Sequence, residues 1–372
     1  MLQFLTCGES HGKYLTAILE GIPSGLPIDL DFINQELRIR QRGYGRGGRQ
    51  KIENDKIEIT GGVYKGKTTG APVGLLIENK DVKIDELPQL FRPRPGHADL
   101  AGSLKYDEGI REILERASAR ETAIRVAVGA VSRLFLLEFS IEIAGHVIQI
   151  GKAKLDEEVA FDQILKRRQG SEVNCVSKEV EKQMTAEIQR AMKNKDTVGG
   201  KYEIRARGIP IGLGSHVHYQ RKLDGRIAQA LMSMQSVKAV EFGLGVQEAE
   251  TFGSGAHDEI FYAAKRGFYH KTNRAGGITG GMSNGAEILV RATMKPISTL
   301  RRELRSVNMK TKKEEKADFE RSDVCAVPAG CVIGEAIVAF EVADAMLEKF
   351  GGDSIRETKR NYKGYLDQLA KS

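Results

Sequence analysis

Tryptophan is absent from this chain, and aromatic residues make up only 6% of it. Stacking on nucleobases needs aromatic faces, so this scarcity argues against a single-strand binding module. Cysteine is scarce too. The four cysteines, Cys7, Cys175, Cys325 and Cys331, form no Cys-x-x-Cys pair. In a long chain they read as reduced thiols, not as a disulfide framework. No apolar run is long enough to span a bilayer. The opening residues, Met1-Leu2-Gln3-Phe4-Leu5-Thr6, place no charged segment before an apolar one, so no secretory signal is expected. These absences predict a cytoplasmic protein that acts neither in a membrane nor on nucleic acid.

What is present is globular material. The 372 residues are enough for a large single domain or two domains with a real core. Glycine is abundant, at 41 residues, which predicts many tight turns or close backbone approaches to a ligand. The formal charge of +7, from 57 Lys+Arg against 50 Asp+Glu, suits an anionic partner.

The most informative stretch runs from Arg92 to Ala123. Its first half, Arg92-Pro93-Arg94-Pro95-Gly96-His97-Ala98-Asp99, cannot be helix interior, because two prolines fix φ and lack an amide hydrogen. Its second half, Arg116-Ala117-Ser118-Ala119-Arg120-Glu121-Thr122-Ala123, reads as a helix start with Ser118 and Glu121 as a capping box. Ile124, Ala127, Val128, Val131, Leu134 and Phe135 then form one apolar stripe, to about Phe139. A rigid histidine loop followed by arginines at a helix N-terminus suits a phosphate or another anion.

A second histidine loop, Gly8-Glu9-Ser10-His11-Gly12, follows a short strand over residues 1–6. It lacks the order of a nucleophile elbow, so His11 reads better as a proton donor near neutrality. A helix through Phe32, Ile33, Leu37 and Ile39 runs into Arg38, Arg40, Arg42, Arg46 and Arg49 among glycines. This tail is similar to an RGG segment of RNA-binding proteins. A flexible arginine loop closing over phosphate or carboxylate fits one short copy better.

Strands are expected at Lys56–Thr60, Val73–Ile77, Ile141–Ile150, Tyr202–Ala206, Val237–Phe242 and Ala286–Ala292. Helices are expected at Val180–Met192, Leu223–Met234 and Cys331–Phe350. Residues 301–320 are expected to be exposed or mobile, and the tail beyond Phe350 is simply polar. His216 and His218 would share a strand face without a third ligand, so no metal is predicted. Asn273 to Gly285 is rich in glycine but lacks the ending of a P-loop and the spacing of a dinucleotide fingerprint. Its glycines instead let backbone amides approach a ligand. Gly208-Ile209-Pro210-Ile211-Gly212-Leu213 echoes Gly21-Ile22-Pro23-Ser24-Gly25-Leu26. Internal duplication and two chance turns both explain the echo at this stage.

The two histidine loops, the Arg116–Ala123 run, Asn273 to Gly285 and Arg321-Ser322-Asp323 occur in one order. Together they resemble the chorismate synthase family from Gly8 to at least Val327. The resemblance implies an α+β fold, a β-α-β sandwich with internal pseudo-symmetry, as one domain over residues 1–372. It implies a lyase of the shikimate pathway that eliminates phosphate from 5-enolpyruvylshikimate 3-phosphate, giving chorismate. It implies reduced FMN as cofactor, a homotetramer, and no nucleic-acid or membrane partner. Whether NADPH reduces the flavin on this chain stays open.

By the same resemblance, His11 is the acid at the departing phosphate and His97 protonates the reduced flavin. Asp323 helps remove the C6 proton, through the flavin N5 or directly. Arg40, Arg46, Arg49, Arg120 and Arg321 hold the substrate's anionic groups. The flavin contacts Arg116, Ala117, Ser118, Gln235, Ser236, Gly280, Lys295, Pro296, Ile297, Ser298, Thr299 and Arg321. Two departures stand out: Ile113-Leu114-Glu115 precedes Arg116 where many members are richer in Gly or Arg, and Ser322 stands where some carry histidine.

Overall fold

The computed structural model describes residues 2–48, 52–264, 266–320 and 322–371. Two antiparallel sheets enclose a helical layer. The first sheet is built from β1 (Gln3–Cys7), β2 (Tyr14–Glu20), β3 (Ile57–Gly61) and β4 (Val73–Glu78), in the order β1-β2-β4-β3. The second is built from β5 (Glu142–Ile150), β6 (Ala153–Lys154), β7 (Gly200–Arg207), β8 (Val237–Phe242) and β9 (Ile288–Met294), in the order β8-β9-β7-β5-β6.

Periodicity decides which face of each strand is buried. Leu15, Ala17 and Leu19 of β2 and Val73, Leu75 and Ile77 of β4 alternate inward at period two. Between the sheets lie the helices α1 (Leu30–Gln41), α3 (Thr122–Leu137), α4 (Leu223–Met232) and α5 (Val327–Phe350), with α6 (Ile355–Leu369) closing one end; the short α2 (Ile110–Ala117), just before α3, packs instead on the helix Asp99–Tyr106. The central pair is α3 and α5. The first packs on β2 and β4, the second on β5 and β7, and they pack on each other. α5 is apolar on every side and almost wholly buried, as a middle-layer helix must be. Where the two cross, a Cβ on Gly129 would lie 2.3 Å from the Cβ of Ala336, so glycine sets the spacing.

The sequence echo marks a true structural repeat. β1-β2-β4-β3 and β5-β7-β9-β8 have the same order and pairing, and Gln3↔Glu20 corresponds to Glu142↔Arg207. Gly25 and Gly212 take φ of 85° and 87° in the two turns, which suits only glycine at low cost. α1 follows one turn and α4 the other; α3 and α5 follow β4 and β9.

Several expectations need correction or refinement. Residues 301–320 are largely exposed, as one alternative had it, yet tied to the rest: Arg305–Val307 pairs with Glu314–Lys316, Ser306 Oγ donates to the Pro93 carbonyl, and buried Asp318 accepts from Arg92. The tail is polar as expected, and it also forms a helix, α6, whose Tyr362 packs edge-on against Phe139 and Phe350. His216 and His218 lie in an exposed loop, not on a strand. The arginine tail is not a free arm over its described part. The Tyr44 amide donates to the Glu172 carbonyl, and Gly45 is buried against Cys325.

Candidate active site

His11 sits in the short connection between β1 and β2, residues 8–13. Three side chains hold that turn. Asn79, directly after β4, donates through Nδ2 to the carbonyls of Glu9, Ser10 and Gly12. Arg116 donates to the carbonyls of Thr6 and Gly8. Its guanidinium therefore supports the histidine turn. Glu115 accepts the His11 amide on Oε2 at 2.7 Å and meets His11 Nδ1 with Oε1 at 2.9 Å.

Ser118 ends α2, and its Oγ accepts from Ser10 Oγ at 3.0 Å and from the Arg120 amide at 3.2 Å. The expected capping box is not formed. A single 3-10 turn, Ala119–Glu121, intervenes before α3, so the serine reaches Arg120 and not Glu121. The Glu121 carboxylate turns instead to Thr6 Oγ1 and Arg125.

Arg40 and Arg120 are buried on either side of buried Asp55. Arg120 Nη1 lies 2.7 Å from one oxygen and Arg40 Nη1 3.4 Å from the other. Arg120 also donates to Asn79 Oδ1 at 2.8 Å, and Arg40 to Thr122 Oγ1 at 3.1 Å. Burial pulls the Arg40 pKa down to about 9; Asp55 and Asp323 oppose this, while the cations of Arg120 and Arg46 assist it. Those charges therefore share one field. Asp323 accepts the Gly47 amide at 2.6 Å and faces Arg46 Nη1 at 3.3 Å.

The second histidine loop folds around Asp99, whose carboxylate is wholly buried. It accepts from the Arg94 amide, Nε and Nη2 at 3.0, 2.7 and 2.9 Å, and from His97 Nδ1. A carboxylate can only accept, so Nδ1 is the protonated nitrogen of His97. Burial pushes the Asp99 pKa up, but the bonds from Arg94 and His97 outweigh it and hold the group far below the usual range.

The Arg94–His97 loop is tied to the segments around Lys295 and Asp323. Arg94 Nη1 donates to Thr299 Oγ1 at 2.8 Å, and the Thr299 carbonyl accepts from Ser322 Oγ at 2.7 Å, beside Asp323. Lys295 Nζ donates to the Gly96 carbonyl at 2.6 Å and to Ser298 Oγ at 3.3 Å, and its amide donates to the Ser236 carbonyl at 2.9 Å. Burial lowers the Lys295 pKa, and the nearby Lys238 cation adds to this. The Ile297 carbonyl, one residue past Pro296, accepts from Thr197 Oγ1 at 2.7 Å. Gln235, Ser236, residues 295–299, His97 and Asp323 therefore lie along one continuous line of contacts.

Gly280 stands apart. It is the exposed tip of the Ile278–Ser283 hairpin, whose backbone bonds run to Leu213 and Leu223. Ala117 closes α2 without a polar role of its own. Arg49 and Arg321 lie outside the described residues. Asp55, Asn79 and Glu115 carry much of the geometry, and none was expected to. Among the described residues no group of three His, Cys, Asp or Glu side chains could hold a metal ion, and no helix is long and apolar enough to cross a membrane.

Comparison with known proteins gives a consistent picture. The family model described as chorismate synthase matches residues 2–347. The chorismate synthase of Desulforamulus reducens is 52% identical over 375 residues, which is 96% of this chain and 97% of that protein. The one from Geobacter sulfurreducens is 52% identical over 390 residues, 99% of each chain. A crystal structure of chorismate synthase superposes with a TM-score of 0.84 at 40% identity, covering 100% of this chain and 99% of that one.

Proposed function

We infer the chemistry of this site from one premise: the chain belongs to the chorismate synthase family. It is a lyase acting on phosphates, in the shikimate pathway. In the reading proposed here, the substrate is 5-enolpyruvylshikimate 3-phosphate. The C3–O bond breaks to release phosphate, a proton leaves C6 on the opposite face, and the two changes leave the new double bond of chorismate. The overall reaction is redox-neutral. Reduced FMN, when bound, lends an electron transiently and recovers it.

The residues fit such a group. Gln235 Oε1 is buried without a hydrogen-bond partner among the described residues, beside Ser236 and Lys295. An orphaned acceptor at that depth suits a ring N–H donor, and the Lys295 cation suits an anionic reduced ring. Lys295, Pro296, Ile297, Ser298 and Thr299, with Gln235, Ser236 and His97, would line the flavin, while Ser118 and its neighbours Arg116 and Ala117 would meet it from the other loop. Gly280 and Arg321 remain flavin contacts by resemblance alone.

Arg40, Arg46 and Arg120 would hold two carboxylates and a phosphate, since fixed cations in a buried site stabilise developing negative charge better than water does; Arg49 joins them by resemblance alone. His11 would donate the proton that the departing phosphate needs. Asp323, paired with Arg46, would accept the proton from C6. His97 would hold a proton at the flavin edge.

The single observation that carries this reading is the unbroken contact line from His97 through Asp99, Arg94, Thr299 and Ser322 to Asp323. It is tested anaerobically, with purified protein, dithionite-reduced FMN and the substrate. Phosphate release is expected. No release from protein shown spectroscopically to hold flavin removes the reading. We also propose that the chain works as a single domain, residues 1–372, in a cytoplasmic homotetramer. Exposed Leu5 and Ile18 on the outer face of the first sheet support assembly, and the free thiols support a reducing compartment.

A further inference from the structure

Glu115, in the last turn of α2, makes an unusual set of contacts. Its main-chain carbonyl accepts the Ser10 amide at 2.8 Å. Its Oε2 accepts the His11 amide at 2.7 Å, and its Oε1 meets His11 Nδ1 at 2.9 Å. Both carboxylate oxygens therefore serve the same residue, one through the backbone and one through the ring. The side chain is only 4% exposed. A buried carboxylate is costly unless hydrogen bonds and countercharge compensate it. Burial raises the Glu115 pKa, but the His11 ring and amide reverse this, with Arg111 adding to the effect.

We propose that Glu115 is a positioning residue for His11: it commits Nδ1 as a donor, fixes the ring plane against the turn, and so directs all proton transfer through Nε2. The proposal rests on the acid role given to His11 above. Three hydrogen bonds to two successive residues leave the imidazole few ways to turn. The anion can only accept, so it selects one tautomer, as the carboxylate partner of a catalytic histidine does in general. The parallel contact of Asp99 with His97 shows the same device on the second imidazole. The two differ in charge balance. Asp99 is shared with the Arg94 guanidinium, whereas both side-chain hydrogen bonds of Glu115 come from His11.

The test uses full-length protein labelled with nitrogen-15 in its histidine rings. The His11 signals are assigned by their loss in His11→Gln, and two-bond couplings report the tautomer above the titration range of the ring. The expected result is Nδ1–H in the wild type. In Glu115→Ala the proton moves to Nε2. Glu115→Leu, which keeps the volume, takes its place if the alanine variant does not fold. In the anaerobic phosphate assay the apolar variant loses roughly 10²-fold in kcat with KM changed less than about twofold. The proposal is overturned if wild-type His11 carries its proton on Nε2, or if the apolar variant keeps the wild-type tautomer. If the tautomers behave as expected while flavin-loaded wild type releases no phosphate, the reaction assignment fails and the hold of Glu115 on His11 stands.

Discussion

Thr68 and Ser283 are structural counterparts across the repeat. Each hydroxyl donates to a proline carbonyl at 2.6 Å, Pro23 in one case and Pro210 in the other. Each also accepts a leucine amide, from Leu26 at 3.0 Å and from Leu213 at 2.8 Å. Both side chains are buried, so each turn depends on a hydroxyl that closes it from the facing hairpin.

Removing either hydroxyl leaves a buried amide and a buried carbonyl without partners. Thr68→Val and Ser283→Ala should each cost about 1–3 kcal/mol in urea unfolding, and by similar amounts. A neutral result at one position and a large loss at the other would mean that the two turns are not energetically equivalent.

Arg40 gives a pH dependence. Burial lowers its pKa to about 9, so the guanidinium is charged below that pH and neutral above it. If it binds an anionic group of the substrate, KM should rise as pH passes upward through 9, while the substrate's own ionisation stays constant. A flat KM between pH 8 and 10, with the fold intact by circular dichroism, would remove Arg40 from the binding set.

Glu341 gives another, on stability. Burial raises its pKa to about 7, against the attraction of Arg226, and repulsion from Asp344 adds to the rise. The folded state thus holds the proton more tightly than the unfolded chain does. Its contribution is fully present below the unfolded value and declines as pH rises through 7. Glu341→Gln should flatten this slope and be more stable than wild type at pH 8 by on the order of 1 kcal/mol. Unchanged pH dependence in thermal melts would show that Arg226 already compensates the charge.

Much of the fold was readable because strand alternation and the apolar length of α5 are local signals. The expected Val237–Phe242 strand is β8 itself, and Tyr202–Ala206 lies within β7. The duplicated turns were readable as an echo, but their equivalence needed the hydrogen bonds of Thr68 and Ser283, which come from outside the echo. α6 was missed because its few apolar residues are diluted by charge, although Ser354 capping the Glu357 amide is a local start signal. In the site, prolines and glycines announced both histidine loops. Asp55, Asn79 and Glu115 were silent because their meaning lies in partners far along the chain, such as Arg120 for Asp55 and the Glu9–Gly12 turn for Asn79. The Ser118–Glu121 pattern misled because the same four residues also permit a tight turn.

The repeat is unequal where chemistry is concerned. The turn at residues 8–13 has as its counterpart the long stretch from 151 to 199, which is spent on helices. The segments leading into α3 and α5 then meet each other, through Arg94 on Thr299 and Lys295 on Gly96. A molecule doubled in architecture would thereby be single in reactivity: if the proposed centre is the site, both halves are consumed in building it, and the stoichiometry expected is one flavin per polypeptide.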